Sequence, residues 1–200
     1  MRKNFVIKSF ITVVIVIIVI IAFFFNILSM TTYNRFIERR NEVYEQQAQI
    51  ENVLQARQEK IPDLVKVVKN YDLHEEKILI EVTEARSGLE KALQSGDMSA
   101  ISQADNRVDT ALYNLQAVVE NYPELKSSEN YTKLIDEISG SVNRIAQERR
   151  EYNKRVMEYN TLVEKIPTNF IALIYGFKTM PYYTASDEAH RTNVVDFEDN

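Results

Sequence analysis

The chain has 200 residues with a formal net charge of −5, four glycines, four prolines, and neither cysteine nor tryptophan. That length allows one domain with a real core plus an attachment. The absence of cysteine excludes disulfides, thiol catalysis and cysteine metal sites, and the acidic balance disfavours nucleic acid as a partner, since phosphate neutralisation supplies most of that affinity.

Arg2, Lys3 and Lys8 precede a charge-free run from Ser9 to Asn34. Its apolar heart, Phe10 to Leu28, is broken by Thr12 and Asn26 alone. This approaches the ~20 residues that cross a ~30 Å hydrocarbon layer. It exceeds a signal-peptide apolar region, and Ser29-Met30-Thr31-Thr32 offers no cleavage site of the usual small-residue type. Residues 1–32 therefore read as an anchor, with the lipid bilayer as partner through residues 9–30. No second such run follows, so a single pass through the cell (inner) membrane is expected. Arg2, Lys3 and Lys8 on one side match Arg35, Arg39 and Arg40 on the other. The α-amino group tips this balance to N-terminus in, which puts the soluble part outside the cytoplasm.

Residues 33–183 carry four amphipathic patterns at steps of three and four. The first comprises Phe36, Arg40, Val43, Gln47, Ile50, Leu54 and Arg57. Glu59-Lys60-Ile61-Pro62 then predicts a break, with Pro62 in the first turn of a second helix. That second pattern is Ile61, Leu64, Val68, Tyr71, Glu75, Ile78, Val82, Ala85, Leu89 and Ala92. Ser95-Gly96-Asp97 ends it, with Gly96 suited to a left-handed cap and Asp97 to the N-cap of the next helix. Ile101, Ala104, Val108, Ala111, Leu115, Val118 and Tyr122 form the third, stopped by Pro123.

The fourth pattern is the longest and the frame of the fold. It is Tyr131, Ile135, Ile138, Val142, Ile145, Arg149, Tyr152, Val156, Tyr159, Val163 and Ile166, in which Arg149 alone is neither aliphatic nor aromatic. One stripe on so long a helix must pack on other helices. Four such helices joined by short turns predict an all-α fold, in which an N-terminal transmembrane helix continues into an antiparallel four-helix bundle. Val142 and Ile145 are expected mid-core.

After Pro167 comes Phe170-Ile171-Ala172-Leu173-Ile174-Tyr175-Gly176-Phe177, then Pro181-Tyr182-Tyr183. It is too short to span. It reads either as a tail folded back to seal the bundle end, or as an interfacial or partner patch made of Phe170, Ile171, Leu173, Ile174, Tyr175, Phe177, Tyr182 and Tyr183. Residues 184–200 read as a polar tail.

Catalytic chemistry finds no support. A di-iron bundle needs two Glu-x-x-His motifs. The only histidines are His74, with Tyr71 three residues before it, and His190 in the tail. No phosphate loop or nucleophile elbow occurs. No cofactor, metal or catalytic residue is therefore expected. Arg149 is the exception that demands an account, because a guanidinium stays charged when buried and needs acidic or carbonyl partners. Counting down antiparallel helices from the far end puts it level with Arg40 and Asn41, with Glu81 to Glu84, and with Asp105. The expectation is a structural polar layer in which Arg149 pairs with Glu84, Glu81 or Asp105, with Asn41 and Arg40 nearby.

Several blocks, in order, resemble the LemA family. They are Tyr33-Asn34, Arg40-Asn41, Gln49-Ile50, Leu54, Arg57, Ile61-Pro62-Asp63-Leu64-Val65, Val68-Lys69 and Tyr71, then Thr83-Glu84-Ala85-Arg86-Ser87 and Tyr122-Pro123-Glu124-Leu125-Lys126. Asn143-Arg144-Ile145-Ala146, Arg149, Tyr152-Asn153, Tyr159-Asn160, Pro167, Asn169, Ile171-Ala172, Gly176-Phe177 and Val195 to Phe197 complete the set. Their order and spacing, more than any one block, carry the likeness. The chain departs from it at Gln47, where many members have Trp. The resemblance implies a bacterial membrane-anchored helical bundle and brings no reaction or catalytic residues with it. Two functions follow as expectations: a non-enzymatic scaffold or interaction protein with a protein partner, or a ligand-sensing bundle at the cell envelope.

Overall fold

A computed structural model describes residues 2–71 and 75–184 of the chain, with side chains from residue 12 onward except those of residues 25 and 28. His74, His190, the Val195–Phe197 block and all of the expected polar tail but Thr184 lie outside the described residues. Six helices occur in the order α1 (Arg2–Lys69), α2 (Glu76–Ser95), α3 (Met98–Val119), α4 (Pro123–Lys126), α5 (Glu129–Glu164) and α6 (Thr168–Tyr175). No strand occurs among the described residues. The fold is all-α. Among the described residues one helix, α1, is long and apolar enough to cross a membrane.

The chain divides into two compact units, one made of Met1–Glu42 with Met157–Met180, the other of Val43–Val156 with Pro181–Asn200. Helices α1 and α5 contribute to both.

The second unit is an antiparallel bundle. Gln46 of α1 donates to Glu148 of α5, and Lys60 pairs with Glu137 at 3.0 Å, so residue numbers rise on one helix as they fall on the other. Gly96, with φ of 65°, ends α2 in the left-handed region. A Cβ there would be conformationally strained, which is why glycine suits the position. The Asp97 carboxylate then accepts from the Ser99 N–H at 2.8 Å and the Ala100 N–H at 3.4 Å, capping α3. Both caps were legible in Ser95-Gly96-Asp97. Gln47 uses its amide to tie α1 to this turn, donating to the Gly96 carbonyl at 3.0 Å.

The expected break at Pro62 does not occur. α1 runs through Pro62 to Lys69, and the connection falls after Asn70 instead. Ile50, Leu54, Arg57, Ile61, Leu64 and Val68 are all at most 2% exposed, so one stripe continues in phase across the proline. An interior proline costs ~3 kcal/mol. Burying Ile61, Leu64 and Val68 returns ~1.5–3 kcal/mol each, so the longer helix wins.

Along α5 the core residues are Tyr131, Ile138, Ser141, Ile145, Tyr152, Val156 and Tyr159. Val142, expected inside, is 44% exposed. The stripe steps from Ile138 by three to Ser141 and by four to Ile145. Val142 thus lies about 100° further round the helix than Ser141, on the wet side.

The first unit gathers aromatic rings. Phe36 stacks on Phe177 with centroids 4.6 Å apart, and Tyr159 meets Phe36 edge-on at 6.3 Å. Tyr33 touches Tyr175 at 4.9 Å and Phe177 at 5.6 Å. Gly176, with φ of 74°, stops α6 and lets the Phe177 N–H reach back to the Ala172 carbonyl at 2.9 Å. That return places Phe177 against α1.

Candidate functional site

Among its described residues the second unit encloses a concentration of charge. Its centre is Asp105 on α3, whose side chain is fully buried. Arg57 of α1, equally buried, donates from Nη2 to Asp105 Oδ1 at 2.7 Å and from Nη1 to Asp109 Oδ1 at 2.7 Å. Asp105 and Asp109 stand four residues apart, hence on one face of α3, and the planar guanidinium fork matches that spacing. Arg149 of α5 donates from Nη2 to Asp105 Oδ2 and, at 3.4 Å, to Asp109 Oδ2. The Tyr183 hydroxyl donates to the same Asp105 Oδ2 at 2.5 Å. The Arg149 guanidinium also lies over the Tyr183 ring, 4.7 Å from its centroid. Each guanidinium keeps a buried Nε–H without a protein partner, so the cluster is well but not completely satisfied.

Tyr183 reaches this centre because Pro181–Thr184 forms a non-helical strap along α3 and α5. Asn153 clamps the Tyr183 peptide from both sides, donating to its carbonyl at 2.9 Å and accepting its N–H at 2.8 Å. Tyr152 donates to the Pro181 carbonyl at 3.1 Å. Ser102 donates to the Thr184 carbonyl at 2.8 Å and accepts the Thr184 N–H at 3.1 Å. A non-helical segment that buries one of its residues, Tyr183, needs partners for the backbone groups beside it, and these three side chains supply them.

The electrostatics follow from the enclosure. Burial raises the Tyr183 hydroxyl well above its ordinary value of 10.0, and the adjacent Asp105 raises it further, against Arg149. Burial by itself disfavours the Arg149 charge, but Asp105 and the other partners overcome this and hold it more firmly protonated than usual. Burial also lifts the Tyr152 hydroxyl to about 12, with Tyr44 adding to the effect. A tyrosine whose folded pKa is raised contributes stability below its unfolded pKa and loses it as pH rises above that value. The protein is therefore expected to lose stability as pH climbs past ~10. Tyr183→Phe should flatten part of that loss, a difference measurable in denaturant melts across the alkaline range.

Of the residues expected in a polar layer, the structure brings together Arg149 and Asp105. Glu81 and Glu84 do not join them. They line a groove with Asn106, Arg107 and Thr110 on another face of the α2–α3 pair, and Lys77 lies 4.0 Å from Glu81. Asn41 is exposed in the first unit. Arg40, also in that unit, sits over the Phe177 ring at 5.7 Å. Depth along a helix was countable, but the face was not. Glu81 and Glu84 have the right height and the wrong direction.

Arg57, Asp109 and Tyr183 are the members that pattern reading missed. Arg57 stood in the first apolar stripe and carried the same signal as Arg149. Asp109 was one helical turn from Asp105. No spacing could have revealed Tyr183, because it comes from a strap without helical periodicity.

The expected aromatic patch divides. Phe170, Leu173, Ile174 and Tyr175 are exposed in the first unit, and Tyr182, 44% exposed, belongs to the second. Ile171 is buried, Phe177 is half-buried against Phe36, and Tyr183 is the buried donor to Asp105. These three leave the patch because Ile171 is buried, while Phe177 and Tyr183 each meet a partner inside their own unit.

Residues 46–197 match the LemA family. The magnetosome protein MamQ of Magnetospirillum gryphiswaldense is 26% identical, covering 76% of this chain and 64% of the relative. MamQ 2 of Paramagnetospirillum magneticum is 28% identical with the same coverage. Protein LemA of Metamycoplasma hominis is 25% identical, covering 82% of this chain and 80% of the relative. The match thus spans somewhat less than two thirds of the length of the magnetosome relatives. With most of its length matched, and with an apolar first helix leading into a helical bundle, the chain belongs to the LemA family.

Proposed function

We propose that this protein is a non-enzymatic, single-pass membrane scaffold whose helical bundle offers its surface to a protein partner. The observation that carries this reading is the fate of the interior charges. Asp105 and Arg57 are fully enclosed, and both oxygens of Asp105 are occupied by Arg57, Arg149 and Tyr183. A catalytic acid or base must face a substrate and exchange a proton with it. A carboxylate that accepts from three neighbours behind closed helices instead supports a structural role, aligning α1, α3, α5 and the strap. What the bundle then has to offer is surface.

Cross-linking in native membranes tests this reading. The full chain would be treated with a lysine-reactive reagent in intact membranes and analysed by mass spectrometry. Lys91, Lys133 and Lys154 are exposed on the bundle and should form reproducible links to one protein. A monomer without protein links, purifying with a stoichiometric small molecule, would overturn the scaffold in favour of ligand sensing.

A further inference from the structure

Helix α6 leaves an apolar face uncovered. Phe170, Leu173 and Ile174 are 58%, 81% and 64% exposed. Their spacing of three and one puts them on one side of the helix. The other side, Ile171 and Ala172, is buried. Three large apolar side chains on one short helix make a contiguous patch of the kind soluble surfaces rarely leave open.

The neighbours of α6 within its own unit indicate what covers it. The Tyr175 ring at its end lies 4.9 Å from the Tyr33 ring of α1. Tyr33 is five residues beyond Leu28, the last residue of the apolar run. At 1.5 Å per residue, Tyr33 stands ~7.5 Å past the end of that run. The polar layer on each side of the ~30 Å hydrocarbon is ~5–7 Å deep. α6 is thus held, by a ring contact, at the headgroup layer, within a large side chain's reach of the acyl boundary. Tyrosine is enriched at that level, where an apolar ring and a polar tip are both satisfied. Lys165 and Lys178, both exposed, bracket the helix and suit lipid phosphates.

We propose that α6 is a second membrane contact: an interfacial helix that lays Phe170, Leu173 and Ile174 into the headgroup–acyl boundary of the bilayer that α1 crosses. The occupant of the patch is phospholipid rather than protein. The anchor brings lipid to this level, and the exposed Lys165 and Lys178 suit its phosphates. Eight residues are too few to span, so the helix lies in the interface. With one crossing and one lateral contact, the first unit cannot pivot freely about α1. This inference rests on α1 being a membrane span.

The chain contains no tryptophan, so one introduced tryptophan is a clean reporter. The full chain would be reconstituted in phosphatidylcholine–phosphatidylglycerol vesicles as two separate variants, Leu173→Trp and Val19→Trp. Each set of vesicles would contain lipids brominated either near the glycerol or near the terminal methyl of the acyl chain. Val19→Trp, mid-span, should be quenched most by the deep bromines. Leu173→Trp should emit further to the blue than in denaturant and be quenched most by the shallow bromines. If Val19→Trp is quenched and Leu173→Trp is reached by aqueous iodide but not by bromine, the α6 contact is overturned while the anchor stands. A blue-shifted Leu173→Trp untouched by either quencher would mean that protein, such as a second copy, covers the patch, and would also overturn the proposal. Failure of Val19→Trp to respond to bromine removes the anchor and the α6 contact together.

Discussion

Asp105→Ala should destabilise the bundle by ~3–5 kcal/mol, because it removes the one fully buried counter-charge of a buried cation. Arg57 is the reason for the size of the effect: its side chain is fully buried, and it cannot shed a proton to escape. After the substitution it would keep Asp109 alone, and the Tyr183 hydroxyl would lose its acceptor. Asp109→Ala should cost much less, ~1 kcal/mol. Asp109 is 35% exposed, and its loss leaves Arg57 on Asp105. The contrast separates a charge layer from a merely well-packed helix interface. A second comparison separates stability from alignment. Replacing the set together, as Arg57→Met, Asp105→Leu, Arg149→Met and Tyr183→Phe, should return stability to within ~1 kcal/mol of the parent, since a buried charge network is costly to desolvate and apolar substitutes of similar volume are not. Urea melts of the full chain in detergent measure all three. If Asp105→Ala and Asp109→Ala cost the same, Asp105 is not the centre of the cluster.

Ile145→Ala should cost ~2–5 kcal/mol, and Val142→Ala less than ~0.5 kcal/mol. Ile145 is 1% exposed and Val142 is 44% exposed, although both stand in the same run of steps along α5. Truncation of Ile145 leaves a cavity that its neighbours cannot fully close, while Val142 loses contacts that water replaces. The same melts check the phase of the helix: similar losses at both positions would mean that the packed stripe runs through Val142 after all.

Much of this protein is written in local pattern. The apolar run from Phe10 to Leu28 exceeds what any single charged or polar residue could offset, so a span-length first helix follows from composition. Steps of three and four between apolar residues, with charge on the remaining positions, leave a helical bundle as the means of burying them. Gly96 and Asp97 end one helix and begin the next through conformational and hydrogen-bonding preferences that belong to those residues. Arg149 announced a buried-charge requirement by its place in an apolar stripe, and Asp105 was among the acids at its depth. The continuity of the stripe through Ile61, Leu64 and Val68 is equally visible in the sequence, and its burial outweighs the helix-breaking tendency of Pro62.

Tertiary structure alone decided the rest. Height along a helix follows from residue count, whereas direction follows from how neighbouring helices rotate to bury their stripes. That is why Glu81 and Glu84 face a groove while Asp105 and Asp109 face Arg57. Val142 and Ser141 exchanged places for the same reason. Near the C-terminus no periodicity exists to read. Whether Tyr183 entered the interior depended on Asn153, Ser102 and Tyr152 being placed to satisfy the strap's backbone groups, and whether Leu173 stayed outside depended on α6 turning Ile171 and Ala172 inward. A sequence specifies which groups need partners through their burial and charge. Which partners they receive is settled only when distant segments come within hydrogen-bonding reach.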